Sequence, residues 1–385
     1  MPSPSLPAQI SLCVSARSGI VATAGGEKYP WAETALKLAG FARDRGGVYT
    51  LTDSDPSAAR RALAQLVVTA DRHLSAVTTS SRPYIGDVAD SIARRLPGTW
   101  TTTVEIYSHP IWQEDLVPWL WDTGPLSAAV RTDRVPYAVQ FGNGEGIHLL
   151  LAERPGHTHG YLLGALAPEP FDDNEEEPNT PLGIVLPQAP DAAAQAITDQ
   201  FLPAYHQAIQ HRRIDAVEHA LARTRVLVQA HQPGTHVAGQ ETGVHDVPDG
   251  SVAERAWHEF REFLVHGPLL FAHLLPEQGP PADRAALERL RGALEAGSEL
   301  LRDDWQAAYE DPAQAAAIIR TEHDSETKAQ RNRLARPAIR TWLADGDALT
   351  RQARARLDRP GVRALALPPM TPRALPPQAS AGLHR

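Results

Sequence analysis

The sequence predicts an α+β N-terminal region, with a mixed or antiparallel sheet and helices, followed by an all-α helical domain and a disordered C-terminal tail. Three observations carry this expectation. Residues 1–168 alternate β-branched apolar runs with amphipathic stretches, strand-like runs nearly vanish beyond 190, and residues 360–385 hold six prolines with little to bury. Apolar periodicity separates the first two regions; a segment that cannot offset its ordering entropy by burial defines the third.

In chain order, ISLCVSA (10–16) and GIVATAG (19–25) read as a hairpin turning at Arg17-Ser18. Pro30 opens a short amphipathic helix that Gly40 can end, and GGVYTLT (46–52) reads as a strand. Asp55-Pro56 combines an N-cap with proline at the first helical position. The helix it opens carries Ala59, Leu63, Leu66, Val67 and Ala70 at core spacing. SAVTTSS (75–81), TWTTTVEIYS (99–108), VPYAVQF (135–141), IHLLLAE (147–153) and GYLLGALAP (160–168) read as strands, and residues 85–96 as a helix. This region forms one domain or two subdomains split near 98–110.

The glycine-rich loop 142–146 has strands on both sides, which favours a hairpin turn over a phosphate cradle, since the latter needs a following helix. Residues 169–189 are an acidic, proline-rich linker or loop. From 190 to 359 the expectation is a helical domain. A long helix from Asp191 to about Ala230 bends near Pro203, and further helices lie near 251–266, 282–309 and 312–335. Asp311-Pro312 repeats the capping signal.

Composition excludes several classes. Of 385 residues, 42% are apolar and 22% charged, the balance of a globular protein rather than a collagenous or wholly disordered one. A lone cysteine, Cys13, makes neither an internal disulfide nor a cysteine-cluster metal site. No apolar run reaches the ~20 residues that span a bilayer, and the N-terminus lacks the basic flank of a secretory signal. The expected location is the cytoplasm, with no membrane partner. Only Lys28, Lys37 and Lys328 are lysines among 37 basic residues, a bias of actinobacterial-like, GC-rich composition that weakens any argument from arginine choice.

The net charge of -9 is unevenly spread: residues 1–190 sum to -7, 191–327 to -11 and 328–385 to +9. A basic end on an acidic body suits either polyanion binding or a clamp against the body itself. Arg331, Arg333, Arg336, Arg340, Arg351, Arg354, Arg356 and Arg359 carry most of that charge. In one continuous helix Arg333, Arg336, Arg340, Arg351 and Arg354 would share a face, with Ile339, Trp342, Leu349 and Leu357 on another. Pro337 and Asp345-Gly346-Asp347 are expected to interrupt it.

A second candidate is the run SHPIWQEDLVPWLWD. His109, Trp112, Glu114, Asp115, Trp119, Trp121 and Asp122 make a pocket or an interaction patch there, since bulky rings beside carboxylates can line a cleft or dock a partner. Core packing is the stronger expectation, with Trp119 and Trp121 pinning a turn after Pro118. Two helical rows, His211/Asp215/His219 and His258/Glu262/His266, have metal-ligand chemistry but lie opposite the apolar stripes and are expected to face water. His157 and His159 beside Glu153 are equally well explained by a polar turn. The reading assigns no metal, no cofactor and no catalytic residue.

The sequence therefore favours a binding or assembly protein, in its most concrete form one that binds DNA or RNA without sequence specificity through Arg331 to Arg359. One alternative is a protein–protein or self-association module with the helical domain as interface. The other is an enzyme with a pocket at 109–122.

Overall fold

The structure, a computed structural model, describes residues 8–51, 55–144, 146–168, 179–230, 249–274, 280–310 and 323–358. The chain forms two compact units, one ending at Ala208 and the other beginning at Ile209.

The first unit contains two sheets. The first is mixed. Strands β1 (Gln9–Ser15) and β2 (Gly19–Gly25) form the expected hairpin, closed by Gly19 at φ +73°. Ser15 Oγ accepts the Arg17 and Ser18 N–H groups at 3.2 and 2.9 Å. Helix α1 (Tyr29–Leu38), β3 (Ala42–Arg43), β4 (Tyr49–Leu51), α2 (Pro56–Arg72) and β5 (Ala76–Pro83) complete it. The order is β3-β4-β2-β1-β5, with β5 parallel to β1 and the other pairs antiparallel. Asp55 caps α2 by accepting from Ser57 N and Ala58 N at 2.9 and 3.2 Å.

Helix α2 buries Leu66, Thr69 and Ala70. Val67, expected in the core, is 61% exposed. Thr69 takes the inward place because its hydroxyl reaches the Ala35 carbonyl of α1 at 3.2 Å, so its polar atom is paired where it is buried.

The second sheet is an antiparallel meander. Helix α3 (Ile85–Ala93) precedes β6 (Thr101–Ile106); α4 (Pro110–Glu114) and α5 (Pro125–Thr132) precede β7 (Tyr137–Gly142), β8 (His148–Glu153) and β9 (Tyr161–Ala165). The 142–146 loop joins the antiparallel pair β7 and β8, so it is a hairpin turn. Strand β10 (Ile184–Leu186) pairs with Leu163–Tyr161 and lies within the stretch expected as a linker. Its run Ile-Val-Leu supplies β-branched residues and a buried Leu186. Residues 169–178 lie outside the described residues.

Glycine is required where β10 meets the chain ahead of α5. A Cβ on Gly124 would stand 2.4 Å from Gly183 N, and one on Gly183 would stand 2.5 Å from Asp122 Oδ1. Buried Asp122 accepts from Gly124 N and Ser127 N at 2.9 Å and from Gly183 N at 2.5 Å. Burial raises its pKa and the three backbone donors oppose that.

The chain is then helical from Pro190 to Ala230: α6 (Pro190–Ala196), a π-helical turn (Ile197–Phe201) and α7 (Leu202–Ala230). The irregular turn immediately precedes Pro203, which has no N–H to continue the ladder. The second unit adds α8 (Asp249–His273), α9 (Pro281–Glu310) and α10 (His323–Leu357). Trp257, Phe260, Phe263, Leu290, Trp342 and Leu349 centre its core. The Trp342 ring lies 5.5 Å from Phe260 and 6.0 Å from Phe263.

Helix α10 runs through Pro337 and Gly346 without a break, contrary to the interruption expected there. Burial of Ala335, Ala338, Ile339 and Trp342 on either side of Pro337 outweighs the missing hydrogen bond. Gly346 lets the helix approach α7, since a Cβ there would stand 2.9 Å from Leu221 Cδ2. The capping pair Asp311-Pro312, Arg359 and the tail 360–385 lie outside the described residues. Among those described, no helix is long and apolar enough to cross a membrane.

Candidate functional site

The tryptophan-rich segment divides into an inward and an outward half. His109 caps α4, its Nδ1 accepting from Ile111 N at 3.2 Å. One turn on, buried Gln113 anchors the helix: its amide donates to Val130 O and Asp133 O at 2.7 and 2.6 Å, and its oxygen accepts from Arg134 Nη1 and Val135 N at 3.0 and 2.8 Å. With Gln113 inward, Ile111, Trp112, Glu114 and Asp115 face outward. Trp112 is 40% exposed and Trp119 is 61% exposed.

Trp119 thus does not pin a core turn as expected. Its backbone does that work, with Trp119 O accepting from Ala167 N at 3.0 Å, which leaves the ring outside. Trp121 and Asp122 are buried; the Trp121 ring meets Tyr205 edge-on at 5.6 Å. The structure adds Tyr29 to the outward half, its ring 5.1 Å from Trp112 and 6.5 Å from His109. Gly26 N donates to Ser108 O at 2.9 Å and brings the two segments together. No local pattern in the sequence signals this pairing, because the two stretches are remote in the chain.

The basic residues of α10 separate into two groups. Arg331 pairs with Glu254 of α8, Arg351 with Asp283 of α9 at 2.9 Å, and Arg354 with Asp215 and Glu218 of α7 at 2.6 Å. The Arg354 hydrogen bonds hold the Glu218 carboxyl below its usual range. Arg333, Arg336 and Arg340 are exposed and make no ion pair among the described residues. The common face expected for Arg333, Arg336, Arg340, Arg351 and Arg354 is therefore divided by use. Arg356 is part-buried and helps to lower the pKa of His273, for which burial is the larger cause.

The histidine rows do not behave alike. His219 and His258 are exposed, but His266 is only 2% exposed and lies 3.4 Å from Glu262, where water contact was expected. Asp215 is taken up by Arg354. Among the described residues no group of three or more His, Cys, Asp or Glu side chains could hold a metal ion. His157 and His159 are exposed, while Glu153 lies 3.8 Å from Arg82 Nε. Burial, with Glu153 and Asp87 adding to it, pushes the Cys13 thiol up to about 12, which suits an inert thiol rather than a nucleophile.

The chain matches no protein-family model, no curated protein and no solved structure.

Proposed function

We propose that this chain is a binding or assembly protein in which α10 serves as an internal clamp on the acidic helical unit. The observation that supports the reading is the pairing of Arg331, Arg351 and Arg354 with acids on three other helices. Arginines held in such pairs are withdrawn from phosphate contact, where affinity comes from exchanging counterions for free basic side chains. The partner we infer is a protein. Ile111, Trp112 and Trp119 are held outward by an anchored helix and turn, and exposed aromatic side chains of this kind are enriched at interfaces.

A second reading, nonspecific DNA or RNA binding, is favoured by Arg333, Arg336 and Arg340, which recur on one helical face and lack ion pairs among the described residues. Three phosphate contacts would give a log–log salt slope of about -3.

Fluorescence anisotropy with single- and double-stranded DNA and RNA across a salt series tests both. The clamp reading expects no binding at physiological salt and a loss of stability, without change in nucleic-acid affinity, in R351A/R354A. Tight, salt-sensitive binding that R351A/R354A abolishes would overturn it. Binding removed by R333E/R336E/R340E alone would establish the second reading. Sedimentation over a concentration series, compared with W112A/W119A, tests whether the protein partner is a second copy.

A further inference from the structure

A cavity of about 180 Å³ opens in the first unit between the end of β5, the turn before β7 and the loop after β8; Arg82, Arg134, Tyr137, Glu153, Arg154 and His157 are among its lining. Its walls hold three arginines and a histidine against one carboxylate.

The cavity is organised by Arg82, whose side chain is only 9% exposed. Its guanidinium donates to Gly160 O at 2.9 Å, to Arg154 O at 3.2 Å and to His157 O. Those bonds fix the loop that carries Arg154 and His157, so both side chains are presented from a held backbone. Neither makes a side-chain hydrogen bond or ion pair among the described residues.

Arg134 is the second fixed cation. It donates to Tyr107 O, to Ser108 O at 3.1 Å and to Gln113 Oε1 at 3.0 Å, all neutral acceptors. No carboxylate pairs with it among the described residues, and the packing around its guanidinium lowers its pKa. Arg134 is nonetheless exposed, so its charge is open to a ligand from solvent. Glu153, the one acid in the wall, is biased toward its neutral form by burial, against the pull of Arg82 and a hydrogen bond with Tyr137. Three arginines against one carboxylate leave the cavity positive even with Glu153 ionised.

We propose that this cavity binds a small oxyanion of phosphate size, held by Arg154, His157 and Arg134 over the buried charge of Arg82. The volume lies below the ~300 Å³ at which drug-sized ligands begin to fit, so the ligand has few heavy atoms. The proposal does not depend on the clamp reading, since all of its residues belong to the other unit.

Isothermal titration of the full chain with inorganic phosphate, against sodium chloride of equal ionic strength, tests it. The expected result is saturable one-site binding, weakened about tenfold in R154A and in H157A, whose far-UV spectra match the wild type. R72A, at the exposed end of α2 and outside the cavity lining, should bind as the wild type does. Absence of saturable binding up to about 10 mM phosphate, or equal binding by the wild type, R154A and H157A, would overturn the assignment.

Discussion

Arg354 grips Glu218 through two parallel bonds, Nε to Oε1 at 3.0 Å and Nη2 to Oε2 at 2.6 Å. This fork ties the C-terminal part of α10 to α7, and Nη2 also reaches Asp215 one turn earlier at 2.6 Å. Two acids that would otherwise repel on one helical face share a single cation. R354A is expected to destabilise the helical unit by about 1–2 kcal/mol, a figure that allows for partial solvent screening of the half-exposed pair. Urea unfolding followed by far-UV circular dichroism would read it; an unchanged midpoint would remove the clamp.

Acid should loosen the same unit. Hydrogen bonds from Arg354 to Glu218, from His266 to Glu262 and from Gln352 and Arg351 to Asp283 hold all three carboxyls below their usual ranges. Their folded pKa values are depressed, so their stabilisation is complete above the unfolded carboxylate values near 4 and is lost as pH falls through the lower folded ones. Urea midpoints taken from pH 7 down to pH 3 should fall most steeply below about pH 4.5. R354A should flatten part of that decline, and a flat wild-type profile would contradict the assignment.

The two neighbouring tryptophans should separate cleanly by mutation. W119A is expected to change stability by less than about 1 kcal/mol, because the ring is mostly in water. W121A should cost about 3–5 kcal/mol, because its ring is buried against Tyr205. Urea unfolding of the two variants decides it, and equal costs would mean that the outward half is packed.

Cys13 should resist thiol reagents in the native protein. With its pKa pushed up to about 12, the thiolate fraction at pH 8 is about one in ten thousand. Reaction with a disulfide reagent is expected only on the timescale of unfolding and should become rapid in denaturant; fast native labelling would show an exposed thiolate.

Local signals made much of the fold legible. The Asp55-Pro56 cap, the Arg17-Ser18 hairpin and the meander of β7 to β9 follow from residues adjacent in sequence, and the structure places them where those residues indicate. The misreadings arise where tertiary packing decides. Val67 has core spacing but yields to Thr69, whose hydroxyl finds a partner on α1. Pro337 and Gly346 carry helix-breaking propensity, yet Trp342 between them is fully buried and holds the helix straight through. His266 sits in a polar row but is covered. At the candidate sites, His109 and Trp112 were visible as residue types, while Tyr29 was not, because only the Gly26–Ser108 contact brings it there. The cavity around Arg82 had no signature either: its arginines come from three separate segments, and their common function as a wall emerges only from the paths of the backbone.

The parallel pairing of β1 with β5 also bears on how the molecule is made. Gln9 lies opposite Ala76, so the first sheet cannot close until both helices between them have been synthesised. The second sheet joins each strand to the next in sequence, and such low contact order favours rapid zippering. The β1–β2 hairpin can form as soon as both strands exist, but the other edge of β1 stays unpaired until β5 has been made. That edge depends on a strand two helices away, unlike any pairing in the second sheet, and until β5 is in place it is where a foreign strand could pair instead.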